Sequence, residues 1–208
     1  CPDAEAAEMM RARINACIRE KDTLGGVIEI VALDVPVGLG SFAQWDTRLE
    51  AKLAQAVMSV QAIKGVEIGD AFENARLPGT KAHDAIVLDD ENLVRPTNRA
   101  GGIEGGISNG EPIIIRAAMK PIASTLTPQK TVDLVSGETR ETTYERSDFC
   151  PVPRAVPVLE AVVAITLADA LIEKLGGDSI AEMKTRFATL KKTKLSDFDL
   201  DNEPHIFW

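Results

Sequence analysis

An arginine and an aspartate lie two residues apart near the middle of this sequence, as Arg146-Ser147-Asp148, and Arg154 follows shortly after. A guanidinium group can hold a phosphate or a carboxylate through two parallel hydrogen bonds. A carboxylate in the same place can take up or release a proton. The pattern indicates an anion site with an acid–base group, and a surface Arg–Asp ion pair is the alternative that the same residues allow.

A lysine followed by hydroxyl groups forms a second segment with the chemistry of an anion site. Lys120-Pro121-Ile122-Ala123-Ser124-Thr125 comes directly after the apolar run Ile113–Met119, which predicts a strand buried on both faces. A proline stiffens the turn, and an ammonium group beside two hydroxyls suits a phosphate. The alternative is an exposed lysine at the end of a strand.

The third segment is a glycine-rich loop, Asn98 to Gly110, which contains five glycines. Glycine lets a backbone approach a ligand closely and present amide hydrogens to an anion. The spacing matches neither the dinucleotide-binding fingerprint nor the phosphate loop, and the loop precedes a strand where both of those motifs open a helix. A long turn between two strands is the alternative interpretation.

Composition narrows the class of ligand. The 208 residues carry a net charge of −9, which disfavours a nucleic-acid partner. From Arg95 to Arg154, however, eight Lys or Arg outnumber seven Asp or Glu, so an anionic small molecule would prefer this part of the chain.

The cysteines and histidines predict neither a metal site nor a catalytic triad. The cysteines and histidines are Cys1, Cys17, Cys150, His83 and His205. They lack the spacing of a disulfide framework or a zinc site. The absence of a disulfide pattern favours a reducing cytosol. Both histidines are predicted to be solvated surface residues. The chain opens with a cysteine where an initiator methionine would stand, which suggests a cut or processed chain.

The helices and strands that position these segments predict an α+β fold with antiparallel strand pairing. Apolar periodicity predicts helices that begin at Asp3, at Asp46 or Thr47, at Pro157 and at Asp178, with glycine pairs or single glycines at their ends. Strands are predicted at 27–35, 66–68, 85–88 and 113–119, with a hairpin over 131–145. The apolar stretch Val156–Leu175 holds three carboxylates and is predicted to be a buried helix of a soluble core, not a membrane span.

Taken together, the segments resemble those of the chorismate synthase family. Gly65–Asp70, Asn98–Gly110, Lys120-Pro121 and Arg146–Val158 occur in the family's order and at similar spacing, over nearly all of the chain. The resemblance implies an α+β fold, a β-α-β sandwich-like arrangement in which antiparallel sheets pack on long helices. It also implies that residues 1–208 are the C-terminal portion of a chorismate synthase domain.

The same resemblance implies a reaction and a set of cofactor contacts. The family converts 5-enolpyruvylshikimate 3-phosphate to chorismate by a 1,4-anti elimination of phosphate, and it requires reduced FMN, with NADPH as a candidate reductant. Members are cytoplasmic and typically tetrameric. By similarity, Asp148 would assist proton transfer, with Arg146 as the neighbour that stabilises its charge, and the flavin would be contacted by Gln61, Ala62, Gly105, Lys120, Pro121, Ile122, Ala123, Ser124 and Arg146.

The sequence departs from the family in two ways. Many members have His-Asp-Pro where this chain has Ser147-Asp148-Phe149. The chain also lacks the family's N-terminal half, which supplies two catalytic histidines and several substrate-binding arginines. Little or no turnover is therefore expected from this chain alone. A non-enzymatic flavin-binding or anion-binding module and an oligomerisation domain remain the rival interpretations.

Overall fold

A computed structural model describes residues 1–190 and 194–198 of the chain. The fold is α+β, as the sequence predicts. Its helices are α1 (Ala4–Arg19), α2 (Leu49–Met58), α3 (Ala71–Asn74), α4 (Gly79–Ala82), α5 (Val152–Leu175) and α6 (Ile180–Phe187). Its strands are β1 (Gly26–Ala32), β2 (Ile63–Ile68), β3 (Val87–Asp89), β4 (Asn92–Val94), β5 (Ile103–Glu104), β6 (Ile107–Ser108), β7 (Ile113–Met119), β8 (Lys130–Val132) and β9 (Thr139–Glu141).

The main sheet has three strands in the order β1-β7-β2, so the most apolar strand lies in its centre. Ile113, Ile115 and Ala117 of β7 are completely buried, while the alternate residues Ile114 and Arg116 are only half-buried. The predicted bounds of this strand are confirmed, but the prediction that both faces are buried is wrong. Side chains of a strand alternate between two faces, and only one face of β7 packs into the core.

The remaining strands of the described residues form three antiparallel pairs: β3 with β4, β5 with β6, and β8 with β9. The last pair confirms the predicted hairpin, with strands shorter than expected and Val132 opposite Thr139. Residues 70–84 and 91–110, predicted as loops, hold α3, α4 and three of these short strands.

The polypeptide divides into two compact units. The first comprises Cys1–Glu29, Gln55–Val66 and Arg116–Val163, and the second comprises Ile30–Ala54, Glu67–Ile115 and the chain from Ala164 onward. Leu49, Leu53 and Ile113 are fully buried in the second unit, and in the first the buried side chains include Cys17, Val57, Ile63, Ala117 and Leu159.

The bounds of α1 and the end of α5 are confirmed, whereas the predicted end of α2 and the predicted cap of α6 are wrong. Helix α1 begins at its predicted cap, where the Asp3 carboxylate accepts from the Ala6 amide at 2.9 Å. It ends at Arg19 with Glu20 as its C-cap, close to the predicted end at about Glu20, and Lys21 follows with a positive φ of 59°. Gly65 lies inside strand β2 rather than after α2, and Ser179, not Asp178, caps α6.

Helix α5 is longer and less buried than the sequence predicts. It begins at Val152, so Pro157 lies within it rather than at its first turn. Ala155, Leu159, Val163 and Ala170 are buried on one face, whereas an apolar stripe on the opposite face is largely exposed, with Val158, Ile165 and Ile172 at 48%, 69% and 53% exposure. The expectation of a buried helix therefore holds for one face only. By length and composition alone the helix could also cross a membrane, a weak indication that core helices of soluble proteins share.

Candidate functional site

Two turns that are 58 residues apart in sequence meet in the first unit. The Lys120 amide donates a hydrogen bond of 2.9 Å to the carbonyl oxygen of Ala62, which has a positive φ of 67°. Ala62 ends the connection from α2 to β2, and Lys120 follows the last residue of β7. Because β7 and β2 are neighbours in the sheet, their ends bring Gln61-Ala62 and the lysine turn together.

The lysine turn is fixed by contacts that the sequence did not reveal. The buried Thr23 hydroxyl donates to the Ile122 carbonyl oxygen at 2.6 Å. A Cβ atom at Gly25 would lie 2.2 Å from the Met119 carbonyl oxygen and 2.9 Å from the Pro121 nitrogen. Glycine is therefore required at position 25 because the turn passes directly over it.

The Arg146–Asp148 segment is tied to the same turn. The Ser147 hydroxyl donates to the Ser124 carbonyl oxygen at 2.8 Å, and the Leu24 amide donates to Phe149 at 2.7 Å. The structure thus brings together Gln61, Ala62, Lys120, Pro121, Ile122, Ala123, Ser124, Arg146 and Asp148 within one unit.

The cations of this cluster are available to an anion. Lys120 and Arg146 are exposed, and neither has an ion-pair partner among residues 1–190 and 194–198. Two cationic groups beside exposed hydroxyls and turn amides fit a phosphorylated ligand such as FMN.

Asp148 pairs with a different arginine from the one predicted. Its Oδ2 lies 2.9 Å from a terminal nitrogen of Arg154, in the first turn of α5, and not beside the guanidinium of Arg146. Helix α5 begins at Val152, four residues after Asp148, and its first turn carries Arg154 to the carboxylate. The charge of Asp148 is therefore offset by Arg154, which leaves Arg146 free for a ligand.

Gly105 belongs to the second unit, where it forms the tip of the β5–β6 hairpin with Gly106. Both residues have positive φ, 61° and 93°, as a tight two-residue turn requires. A Cβ atom at Gly105 would meet nothing within 4 Å, so this turn borders open space.

The other glycines of the loop serve backbone packing rather than a ligand. Cβ atoms built at Gly69 or Gly101 would lie 2.3–2.5 Å from backbone atoms of the opposite segment. The amides of Gly101 and Gly102 donate to the backbone and side chain of Asn98. The predicted exposure of loop amides to an anion is therefore wrong for these two positions.

Sequence reasoning missed Asp84, which anchors this loop. Its Oδ1 accepts from the Thr97 hydroxyl at 2.5 Å and the Arg99 amide at 2.8 Å, and its Oδ2 accepts from the Ala100 amide at 2.8 Å. Burial alone would raise the pKa of Asp84, but these hydrogen bonds and the charge of Arg95 outweigh burial and lower the pKa below its ordinary value. A lone aspartate in a polar stretch gave no sequence signal for this role.

The histidines do not join either cluster through a hydrogen bond or an ion pair among the described residues. His83 follows α4 and is exposed. His205 lies outside the described residues, as does most of the tail predicted to begin at Leu195.

Comparison with known proteins identifies the family. The family model described as chorismate synthase matches residues 1–172. A chorismate synthase of Streptomyces avermitilis is 53% identical over 184 residues, which are 88% of this chain and 47% of that protein. The enzyme of Geobacter sulfurreducens is 53% identical over an alignment of 193 positions that covers 89% of this chain and 49% of that protein.

A crystal structure of chorismate synthase superposes with a TM-score of 0.74 at 45% identity, covering 90% of this chain and 48% of that one. The chain spans about half the length of the relatives it matches. The match to the family model extends through the segments that carry the lysine turn, the glycine-rich loop and the Arg146–Asp148 pair. By sequence and by fold, the chain belongs to the chorismate synthase family.

Proposed function

We propose that this chain is the C-terminal portion of a chorismate synthase. In the complete enzyme it helps convert 5-enolpyruvylshikimate 3-phosphate to chorismate by a 1,4-anti elimination of phosphate, a lyase reaction of the shikimate pathway. Reduced FMN is the required cofactor, and NADPH is the candidate reductant. The proposal includes a cytoplasmic location and assembly into a homo-oligomer, a tetramer for the full-length protein.

The proposal is carried by one observation: two hydrogen bonds join three segments that are distant in sequence. The 2.9 Å bond from Lys120 to Ala62 and the 2.8 Å bond from Ser147 to Ser124 put the family's cofactor-binding segments side by side. A structural turn would need neither an exposed lysine nor an exposed arginine there, and both are present without an ion-pair partner among the described residues.

In this proposal, Lys120 and Arg146 hold the anionic groups of the cofactor and substrate. The turn from Pro121 to Ser124, together with Gln61 and Ala62, supplies backbone and hydroxyl contacts to the flavin, and Gly105 contributes a close backbone approach. Substrate and cofactor both bear phosphate, so cationic side chains must offset several negative charges. When bound, reduced FMN supplies electron density that assists cleavage of the C–O bond.

Asp148 is proposed to move a proton during the elimination. Its carboxylate is 39% exposed and Arg154 is 76% exposed, so the ion pair between them is in contact with solvent and its net stabilisation is small. A weakly held pair can open when a ligand arrives. Until the ligand arrives, Arg154 orients the carboxylate, and Arg146 is the arginine that binds the ligand.

The test is a fluorescence titration of the chain with FMN. Arg146→Ala should weaken binding by about tenfold or more, because a hydrogen bond to a charged group contributes about 1.5–3 kcal/mol. Arg140→Ala is the matched control: it removes an arginine of the same unit whose Nε lies 3.3 Å from Asp133. Equal affinity of both variants for FMN would contradict the proposed flavin site.

Activity is tested in the complete enzyme, where Asp148→Asn should lower turnover by at least about a hundredfold, within the range that general acid–base catalysis contributes. Undiminished turnover would contradict the assigned role. Flavin binding without lyase activity, even when the other half of a family member is added, would favour the rival of a non-enzymatic flavin-binding or anion-binding module.

The exposed stripe on α5 is the observation that favours the second rival, an oligomerisation domain. If the chain only served oligomerisation, Arg146→Ala would change neither the oligomeric state nor any other measured property of the chain. Light scattering together with the flavin titration separates the two functions.

A further inference from the structure

We propose that Asp84 is a positioning residue: its carboxylate holds the segment from Thr97 to Ala100 in place and thereby sets the orientation of the turn that carries Gly105. This inference rests on the proposed function only in the role given to Gly105. No part of the sequence analysis assigned a function to Asp84, which lies between α4 and β3 in the second unit.

The carboxylate is placed to receive three donors from one short segment. Oδ1 accepts from the Thr97 hydroxyl and the Arg99 amide, and Oδ2 accepts from the Ala100 amide, all at 2.5–2.8 Å. Two of the donors are consecutive backbone amides. Only an ionised carboxylate offers acceptors on both oxygens, because an asparagine would direct an NH₂ group at one of the amides.

From this anchor, a series of hydrogen bonds leads to the Gly105 turn. Asn98, between the anchored residues, accepts from the Gly102 amide at 2.9 Å and donates to Pro112 at 2.8 Å. The Asn109 amide then donates to the Gly102 carbonyl oxygen at 2.9 Å and closes the base of the β5–β6 hairpin. Gly105 lies at the tip of that hairpin, only three residues from Gly102.

Close backbone contacts leave the segment from Thr97 to Ala100 little freedom to move. Backbone atoms around Gly69 and Gly101 approach so closely that a Cβ atom on either would lie within 2.5 Å of the other segment. The Arg99 carbonyl oxygen accepts from the Asp70 amide at 2.9 Å and from the Asn74 side chain at 3.2 Å. A shift at Asp84 must therefore move the glycine loop as a body, including its hairpin.

Asp84 and Gly105 also border the same cleft, of about 390 Å³, with Asn74, His83, Ala100 and Glu104. The Oδ1 atom of Asn74 is buried and has no hydrogen-bond partner in the described part of the chain. Among the charged or titratable groups near Asp84, Arg95 acts on it through its charge and pairs with Glu104 at 2.7 Å, and His83 and Glu104 line the same cleft. The cleft therefore combines one held carboxylate with an open glycine turn.

The experiment compares Asp84→Asn with Asp133→Asn in the whole 208-residue chain. Asp133 is a matched control because its Oδ1 also accepts from two backbone amides, those of Val135 and Ser136, but in the other compact unit. Amide hydrogen exchange is measured for residues 97–110 without flavin, and FMN affinity is measured by titration.

For Asp84→Asn we expect exchange to rise about tenfold or more at Arg99, Ala100 and the Gly105–Gly106 turn, the factor that corresponds to losing one hydrogen bond to a charged group. FMN affinity should fall by a similar factor while the free energy of unfolding stays within the range of the control. Exchange at the Gly105 turn equal to that of the control would overturn the inference. The inference would also be overturned if the FMN affinity of Asp84→Asn fell only in proportion to the fraction of the chain that is unfolded.

Thr97→Val serves if Asp84→Asn does not fold, because it removes only the hydroxyl donor. It should raise exchange at Arg99 and Ala100 by a smaller factor, and no rise would count against the anchor. If the wild-type chain does not bind FMN, the proposed flavin role of Gly105 fails, whereas the exchange measurement still decides whether Asp84 orients the turn.

Discussion

The sharpest prediction concerns Gly25, a residue that contributes no side chain to the candidate site. In Gly25→Ala, the new Cβ atom would begin 2.2 Å from the Met119 carbonyl oxygen and 2.9 Å from the Lys120 carbonyl carbon. Real Cβ contacts stay above about 3.0 Å, so the strand end must move by about 0.8 Å. The backbone of the lysine turn, rather than a flexible side chain, has to make that movement.

The energetic cost has two parts. Overpacking of this kind costs about 1–3 kcal/mol. The 2.9 Å bond from Lys120 to Ala62 would lengthen past the range of a good hydrogen bond, a loss of about 1 kcal/mol. Gly25→Ala should therefore lower the free energy of unfolding by about 2–4 kcal/mol. It should also weaken FMN binding, because the turn that is proposed to bind the phosphate is displaced.

Urea unfolding followed by circular dichroism measures the first effect, and an FMN titration measures the second. Gly65→Ala is the control, since a Cβ atom there would lie at an ordinary 3.5 Å from Ala118 in the same unit. The control should stay within about 1 kcal/mol of the wild type, since a glycine in a strand contributes little. If Gly25→Ala is as stable as Gly65→Ala and binds FMN equally well, the close approach is not what holds the turn.

Two further predictions address acid stability and association. The pKa of Asp84 is lowered in the folded chain, so its stabilising contribution is complete above the unfolded-state pKa of about 3.9 and is lost as the pH falls through the folded-state pKa. The difference in unfolding free energy between wild type and Asp84→Asn should accordingly shrink as the pH falls below about 4; a constant difference would contradict the assignment. On α5, Ile165→Glu should lower the concentration-dependent molar mass in light scattering, whereas Ile180→Glu, at a nearly equal exposure of 70%, should not. A wild-type chain that is monomeric at every concentration would refute the second prediction.

Local sequence pattern was sufficient to predict the central strand β7 and the start of helix α1. The mainly apolar run 113–119, which only Arg116 interrupts, was sufficient to predict strand β7 with its correct bounds. Asp3 specified the start of α1 because its side chain satisfies an amide that the helix cannot. Gly65 misled the prediction because glycine occurs within a strand as well as at a helix end, and sequence alone does not distinguish these uses.

The same distinction applies to the candidate site: residue types could be read from the sequence, whereas contacts between distant residues could not. Residue type made Lys120 and Arg146 candidates for an anion site, with a surface lysine and a surface ion pair as the alternatives, and the resemblance to the family assigned them to a ligand. The partner of Asp148 was mispredicted because Arg146 is nearer in sequence, whereas the start of α5 at Val152 brings Arg154 within 2.9 Å. Asp84 was missed because its three donors lie 13–16 residues away, on a loop whose course depends on Gly69 and Gly101. The residues that are proposed to bind the ligand could thus be predicted from residue type and family resemblance, while the residues that position them become recognisable only once the backbone has folded.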